Sequence, residues 1–354
     1  MYHIIKTLII KKMKKFKYFL PIFAISIALL SCSNDDESGG GDPPPIPILA
    51  NVYATSNTNN SIAVFDFTPN GIAMRSFLTS SDDNEGIYYD DDADELVVNS
   101  RSQSVINTYS NIENAQNGNS LNLFLSSDSV LESPRDIAVN NGVYVVSDNA
   151  DVDGDPNTED GRFFVFTRDA SGYTLRNTVT VNYAVWGIEF IGNDLYTVVD
   201  KTADVAVLKN FASAYTTDIT ATPDKQITIE GITRTHGIAE DGGFVILTDI
   251  GDAASESDGG FNFINGFVSK FDATPDGDTL SFAGNQVRVS GALTDLGNPV
   301  AVDYESTSQT VFIAERANDG GKILFFNEIG AGGNLVPTLN SPFEGASSLY
   351  FVDR

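Results

Sequence analysis

Cysteine is almost absent from this chain: Cys32 is the only one in 354 residues. No intrachain disulfide can form, so packing and hydrogen bonding must hold the fold. Basic residues are scarce too. Lys and Arg total 21 against 48 Asp and Glu, a formal charge of −27. The first 32 residues hold six lysines and no acid, so the remainder carries −33. A surface that acidic repels phosphate backbones, which argues against nucleic acid as a partner. It suits solubility, cation binding or a cationic partner. Also missing are a Gly-x-Ser-x-Gly elbow, a phosphate-cradling loop, zinc-ligand spacing and a dinucleotide fingerprint. Beyond the N-terminal segment there is one histidine, His236, and one tryptophan, Trp186. A Ser-His-Asp hydrolase is therefore disfavoured.

The N-terminal 32 residues read as a targeting segment. Lys14-Lys15-Phe16-Lys17 is a basic n-region, and Tyr18 to Leu30 is an apolar stretch too short to favour a membrane span. Translation from Met13 fits this pattern better than translation from Met1. The segment Leu29-Leu30-Ser31-Cys32 resembles a bacterial lipobox. That resemblance implies that Cys32 is lipidated and becomes the mature N-terminus, anchored by its acyl chains. Ser33-Asn34-Asp35-Asp36-Glu37 resembles the acidic export signal of surface lipoproteins in the Bacteroidetes. It implies an outer-membrane lipoprotein exposed at the surface of a Gram-negative cell. Residues 33–47, acidic and then rich in Gly and Pro, read as an extended tether.

What is abundant is a repeat. Ile87, Ile137, Ile188, Ile238 and Val300 each open a similar unit, at spacings of 50, 51, 50 and 62 residues. The clearest copy is Trp186-Gly187-Ile188-Glu189-Phe190, a turn at Gly192-Asn193-Asp194, then Leu195 to Asp200. β-Branched and aromatic residues around a Gly-Asn-Asp turn predict a hairpin. Each unit then reaches a polar pair: Asn99-Ser100, Ser147-Asp148, Val199-Asp200, Thr248-Asp249, Ala314-Glu315. A period near 50 residues built of short strands predicts an all-β six-bladed β-propeller of four-stranded antiparallel blades. The blades are 86–125, 136–181, 187–230, 237–290, 299–339, and a shared one from 346–354 with 48–80. In that last blade the C-terminal strand is innermost and the three N-terminal strands complete it, which removes open sheet edges. Residues 48–354 thus form one domain.

No Trp-Asp repeat is present. The unit Val311-Phe312-Ile313-Ala314-Glu315-Arg316-Ala317-Asn318 … Lys322-Ile323-Leu324-Phe325-Phe326 resembles the NHL-type six-bladed propellers, as does Val52 to Phe65. The resemblance supports the fold; activities within that superfamily diverge.

In such a blade the loop into the innermost strand and the loop between strands two and three share one face. The residues two before each opening position are Glu85, Arg135, Trp186, His236, Asn298 and Glu344. They are expected to ring one mouth of the central channel, the default place for a ligand. Two long loops, Asp148 to Gly161 and Asp249 to Gly266, fall on the same face. The first resembles an EF-hand-type calcium loop: Asn149, Asp151 and Asp153 at positions 1, 3 and 5, Gly154 at the turn, then Asp155, Asn157 and Asp160. Asn149 and Asp160 depart from the usual Asp and Glu. The second loop, with Asp249, Asp252, Glu256 and Asp258, lacks such spacing.

These features favour a monomeric binding module for a glycan, peptide or protein ligand, with calcium ordering the rim. Trp186 would stack on an apolar ligand face, Arg135 would pair with an anionic group, and Asn298 would orient by hydrogen bonds. The alternative is a metal-dependent hydrolase similar to gluconolactonase- and paraoxonase-type propellers. That similarity implies an ion at the channel mouth held by Glu85, Asn298 and Glu344, with His236 as general base or ligand. Arg135 and Trp186 stand where those families carry oxygen ligands. An adhesive or structural role is the third option.

Overall fold

The computed structural model describes residues 50–353; the targeting segment, Cys32 and the tether lie outside the described residues. Six antiparallel sheets follow in chain order. Blade one starts innermost with Asn84–Asp90, then Glu95–Ser100, Val105–Ser110 and Asn122–Ser126. Blade two starts with Pro134–Asn140, blade three with Val185–Ile191, blade four with Ile238–Asp241 and blade five with Pro299–Glu305. Blade six is split as the sequence predicts. Ala346–Val352 is innermost, and Asn51–Ser56, Ser61–Thr68 and Gly71–Leu78 complete it. Val52 pairs with Phe351 and Ala54 with Leu349, so main-chain hydrogen bonds join the two ends of the domain.

Each interface between neighbouring blades has its own buried apolar cluster. Between blades two and three it includes Val145, Phe163, Val179, Ile188 and Leu195. Between blades five and six it includes Phe65, Val300, Phe312 and Phe325. Second strands are buried on both faces, which is why they read as apolar runs such as Leu96-Val97-Val98. Inner strands come close enough that side chains are excluded at some positions. A Cβ on Gly86 would lie 2.6 Å from the Asp136 backbone. The amide of Gly187 donates to the His236 carbonyl at 2.9 Å.

Two expectations need correction. Blades two and three each gain a fifth, outer strand, Ile219–Ala221 and Thr279–Leu280, and both pair parallel to their neighbour. The second long loop ends at Gly259, because Gly260–Asn265 is already a strand. The remaining extra length of blade four is the helix Phe267–Ala273, on the opposite face, whose Phe267 and Phe271 are buried against Tyr196.

Candidate functional site

The polar residue ending a second strand has a structural task. Asp148 Oδ2 accepts the amides of Glu132 and Ser133 at 2.8 Å each. Asp249 Oδ1 does the same for Thr233 and Arg234, and Glu315 for Gly297 and Asn298. Each carboxylate pins the chain just before it enters its innermost strand. In five blades the entering strand then carries a bulge. The pairing shifts between Asn84 and Ile87, Pro134 and Asp136, Val185 and Ile188, Pro299 and Ala301, and Thr55 and Ser56 opposite Ala346 and Ser348. A bulge re-aims a side chain. Here the re-aimed residues are Glu85, Arg135, Trp186, Val300 and Ser347. His236 holds the equivalent place in blade four, where the paired strand begins only at Ile238.

The upper mouth is therefore ringed by Glu85, Arg135, Trp186, His236, Val300 and Ser347. Four of these are the residues expected from sequence. Asn298 lies two residues and Glu344 three residues ahead of the ring positions. Asn298 is held by its backbone amide on Glu315. Glu344 is exposed, and its carbonyl accepts the Ser56 hydroxyl at 2.7 Å. Aligning Pro134 with Pro299 would have placed Val300 in the ring. The Glu-Gly pair at 344–345, matched to Glu85-Gly86, misdirected the last register.

Five of the six ring residues are linked by side-chain contacts, while Val300 packs into the core between blades five and six. Ser347 donates a very short hydrogen bond to Glu85 Oε2. Arg135 Nη1 is 3.5 Å from Glu85 Oε1, and its guanidinium lies 4.3 Å from the Trp186 ring. Trp186 stacks on His236 at 3.8 Å with planes 6° apart. Both indole faces are thus occupied, by the residues of the two neighbouring blades. Trp186 cannot stack on a ligand face as expected. Only its edge is open.

An outer ring comes from the residue after each second strand. Arg101, Asn149, Asp200 and Arg316 each donate a backbone amide to the loop before their own inner strand. Asp200 Oδ1 lies 2.9 Å from His236 Nε2 and accepts Arg234 Nε at 2.8 Å. Burial alone would raise the Asp200 carboxyl, but His236 and Arg234 outweigh it and hold it low. Burial lowers His236, against the opposing pull of its hydrogen bond and charge contact with Asp200. Its Nδ1 is buried without a partner.

Three guanidiniums converge on one carboxylate. Arg101, Arg135 and Arg316 approach Glu85 Oε1 at 3.9, 3.5 and 3.7 Å. Glu85 is 1 % exposed. Burial raises its carboxyl despite Arg316 and Arg135. Arg135 spends further donors on Asn149 Oδ1 and Ser133 Oγ. Asn149 Oδ1 thus accepts from both Arg135 and the Ser133 hydroxyl. No side-chain hydrogen bond to Arg101 or Arg316 is present among the described residues, so most of their donors are unspent.

In the first long loop, Asp151, Asp153 and Asp160 bring their carboxylates within 4.8 Å of one another. Asp160 also accepts the amides of Val152 and Asp153, and Asp151 accepts that of Gly154. Asp155 is engaged instead with Asn157 through its side chain and with Thr158 through its carbonyl. The donor set present would suit a hard cation held by three carboxylates, and Asp155 is not among them. In the second loop Asp249 is buried at its clamp and ion-pairs with Arg288; Asp258 caps the Asp252 amide.

These sheets and their closure define a six-bladed β-propeller with an arginine-rich mouth. No protein-family model matches the chain, and no curated protein matches it in sequence. Solved structures share its architecture. A chain in the crystal structure of a nidogen/laminin complex has a TM-score of 0.56 at 13% identity, covering 85% of this chain and 97% of that one. A putative 6-phosphogluconolactonase from Bacteroides fragilis has a TM-score of 0.54 at 11% identity, covering 88% and 100%. At these identities the likeness establishes the fold alone.

Proposed function

We propose that this chain is a lipid-anchored surface protein whose upper propeller mouth captures a glycan, peptide or protein ligand through an anionic group. The observation that carries the reading is the convergence of Arg101, Arg135 and Arg316 on Glu85, with most donors of Arg101 and Arg316 unspent although Arg101 also lies 3.8 Å from Asp83. A carboxylate or sulfate arriving from solvent would take those donors in charge-assisted hydrogen bonds. The edge of Trp186 and the two loops would form the rim. One structural neighbour comes from a nidogen/laminin complex, so a propeller of this shape serves there within a protein assembly. Calcium held by Asp151, Asp153 and Asp160 would order the rim. Anchoring through Cys32, with the acidic segment 33–37 as an export signal, would put the domain at the cell surface; Cys32→Ser should release the chain from the membrane fraction, and retention would remove the anchor from the reading.

The hydrolase alternative loses the ligand set its resemblance implied. Asn298 and Glu344 precede the inner-strand ring positions, and Glu85 is engaged by Ser347 and three arginines. The test is retention on an array of uronic-acid and sulfated glycans and acidic peptides, beside their neutral counterparts. The expected result is binding to acid-bearing probes that weakens about 10- to 100-fold in Arg316→Ala, from the loss of one charged hydrogen-bond donor. Equal retention of neutral probes, or no change in an Arg101→Ala/Arg316→Ala double variant, would overturn it.

A further inference from the structure

Below the mouth the channel widens into a cavity of about 480 Å³ that reaches the lower-face turns at Asp241 and Ser306. That volume is in the range of small-molecule sites. None of its lining residues is Lys, Arg or His, although Asp136, Glu189, Glu240, Asp241, Asp303 and Glu305 all line it. The inner-strand register shows how they are arranged. Counting from the bulges, Tyr88, Ala138, Glu189, Ala239, Asp303 and Tyr350 form one layer. Two carboxylates and two tyrosines meet there, with two alanines leaving the space between them. Asp136 lies two residues above this layer and Asp241 and Glu305 two below. At strand rise the acidic column spans about 13 Å.

One acid of this layer has no protein partner among the described residues and is left partly open to the channel. The Glu189 carboxylate faces the cavity with no hydrogen bond or ion pair among the described residues. Tyr88 and Tyr350 meet edge to face at 5.2 Å and present aromatic surface beside the acids. Uncompensated carboxylates in a confined space disfavour one another. Burial, and then Asp303, Asp136 and Glu240, drive Glu189 well above the usual carboxylate range. A bound cation would relieve this.

We propose that the lower channel is a second site, distinct from the mouth, that takes a small linear polyamine with its ammonium groups between Glu189, Asp303 and Asp136. A bare metal ion fits less well. Among the described residues, the acids close enough to share one ion are in the upper loop and not here. The aromatic pair suits an organic ammonium, which it can bind through cation–π contact.

The test is isothermal titration of the purified full chain with spermidine, at fixed ionic strength, beside magnesium and calcium. The expected result is saturable binding of one spermidine. It should weaken about tenfold or more in Asp303→Asn and in Glu189→Gln, as one charged partner is lost. It should survive Arg316→Ala at the mouth. Ala138→Leu/Ala239→Leu, which narrows the layer and keeps every charge, should also block it. That variant covers the case in which an acid variant fails to fold. Non-saturable, salt-sensitive heat, or spermidine binding indifferent to the cavity variants, would overturn the proposal, as would saturation by a metal ion and not by spermidine.

Discussion

The two ends of one channel solve the problem of axial charge in opposite ways. At the upper mouth every inward carboxylate is answered: Glu85 by three arginines and Ser347, Asp200 by Arg234 and His236. In the lower cavity no cationic side chain among the lining residues answers the carboxylates; they have backbone amides and, at Glu305, the Ser308 hydroxyl. Asp136 accepts from Ile137 and Ile188, and Asp303 from Tyr304 and Phe351. The mouth is filled, with a gap of only about 20 Å³ beneath Trp186 and His236. The cavity below is open. A paired ring gives rigidity and presents donors outward; an unpaired column leaves electrostatic energy for a ligand to collect. The same fold position, the inner strand, serves both, because the bulge turns one set of side chains to the mouth and the regular strand turns another to the channel.

Breaking the compensation at the mouth should have the largest effect. Glu85→Gln leaves three guanidiniums facing one another around a buried, neutral amide. The loss is expected to be about 3 kcal/mol, since one partner of a buried pair has gone and the others remain. Urea unfolding monitored by Trp186 fluorescence measures it. A change within about 0.5 kcal/mol, usual for surface sites, would mean that water already screens the arginines and that the two ends differ less than their contacts show.

The lower cavity should show its charge through pH. Burial, outweighing its backbone hydrogen bonds, lifts Asp136 to about 6, and the same cause with Asp241 and Asp136 nearby lifts Asp303 to about 7. Both lie above the unfolded value near 3.9. The native state therefore binds more protons than the unfolded one between these limits, so stability is full below about pH 4 and lost as pH rises through 6 and 7. The melting temperature should be higher at pH 5 than at pH 8, by about 4 °C if about 2 kcal/mol is at stake. Surface self-repulsion in so acidic a chain acts in the same direction, so the decisive reading is Asp303→Asn. It should raise the pH 8 value and flatten the profile. A profile unchanged by Asp303→Asn would assign the slope to the surface and leave the cavity acids as ordinary hydrated groups.

Much of this contrast was legible in the sequence, and the part that was not has a physical cause. Period, blade count and ring closure follow from apolar runs and turn residues, which local chemistry dictates. Glu85, Arg135, Trp186 and His236 were found because each precedes its opening isoleucine by two residues. Val300 and Ser347 were missed because a bulge inserts a residue that periodicity cannot count, and because Val300 resembles the isoleucines one step further on. The clamp role of Asp148, Asp249 and Glu315 was visible only as a recurring polar pair. Asp200 falls one residue beyond its counterparts, and so turns to His236 instead of clamping a loop. The cavity escaped because Glu189 and Asp303 read, one by one, as ordinary polar positions on alternating strands. Only the closed ring brings them onto one axis.

The smallest effect expected concerns the rim of the mouth. Lys201 pairs with Glu159 at 2.7 Å and joins the first long loop to blade three, but both side chains are about half exposed, at 55% and 49%. Such a pair contributes about 1 kcal/mol at most, and salt screens it. Lys201→Ala should therefore leave the melting temperature nearly unchanged. What holds the loop must then be the carboxylate cluster, whose backbone amides are donated by the loop itself. If calcium completes that cluster, adding the ion should protect the 149–160 segment from limited proteolysis in the wild type and in Lys201→Ala alike. It should not do so in Asp151→Asn/Asp153→Asn. Protection lost in Lys201→Ala alone would reverse the assignment: the rim would be tied by its salt bridge, and the acidic loop would be a solvated one that caps its own amides.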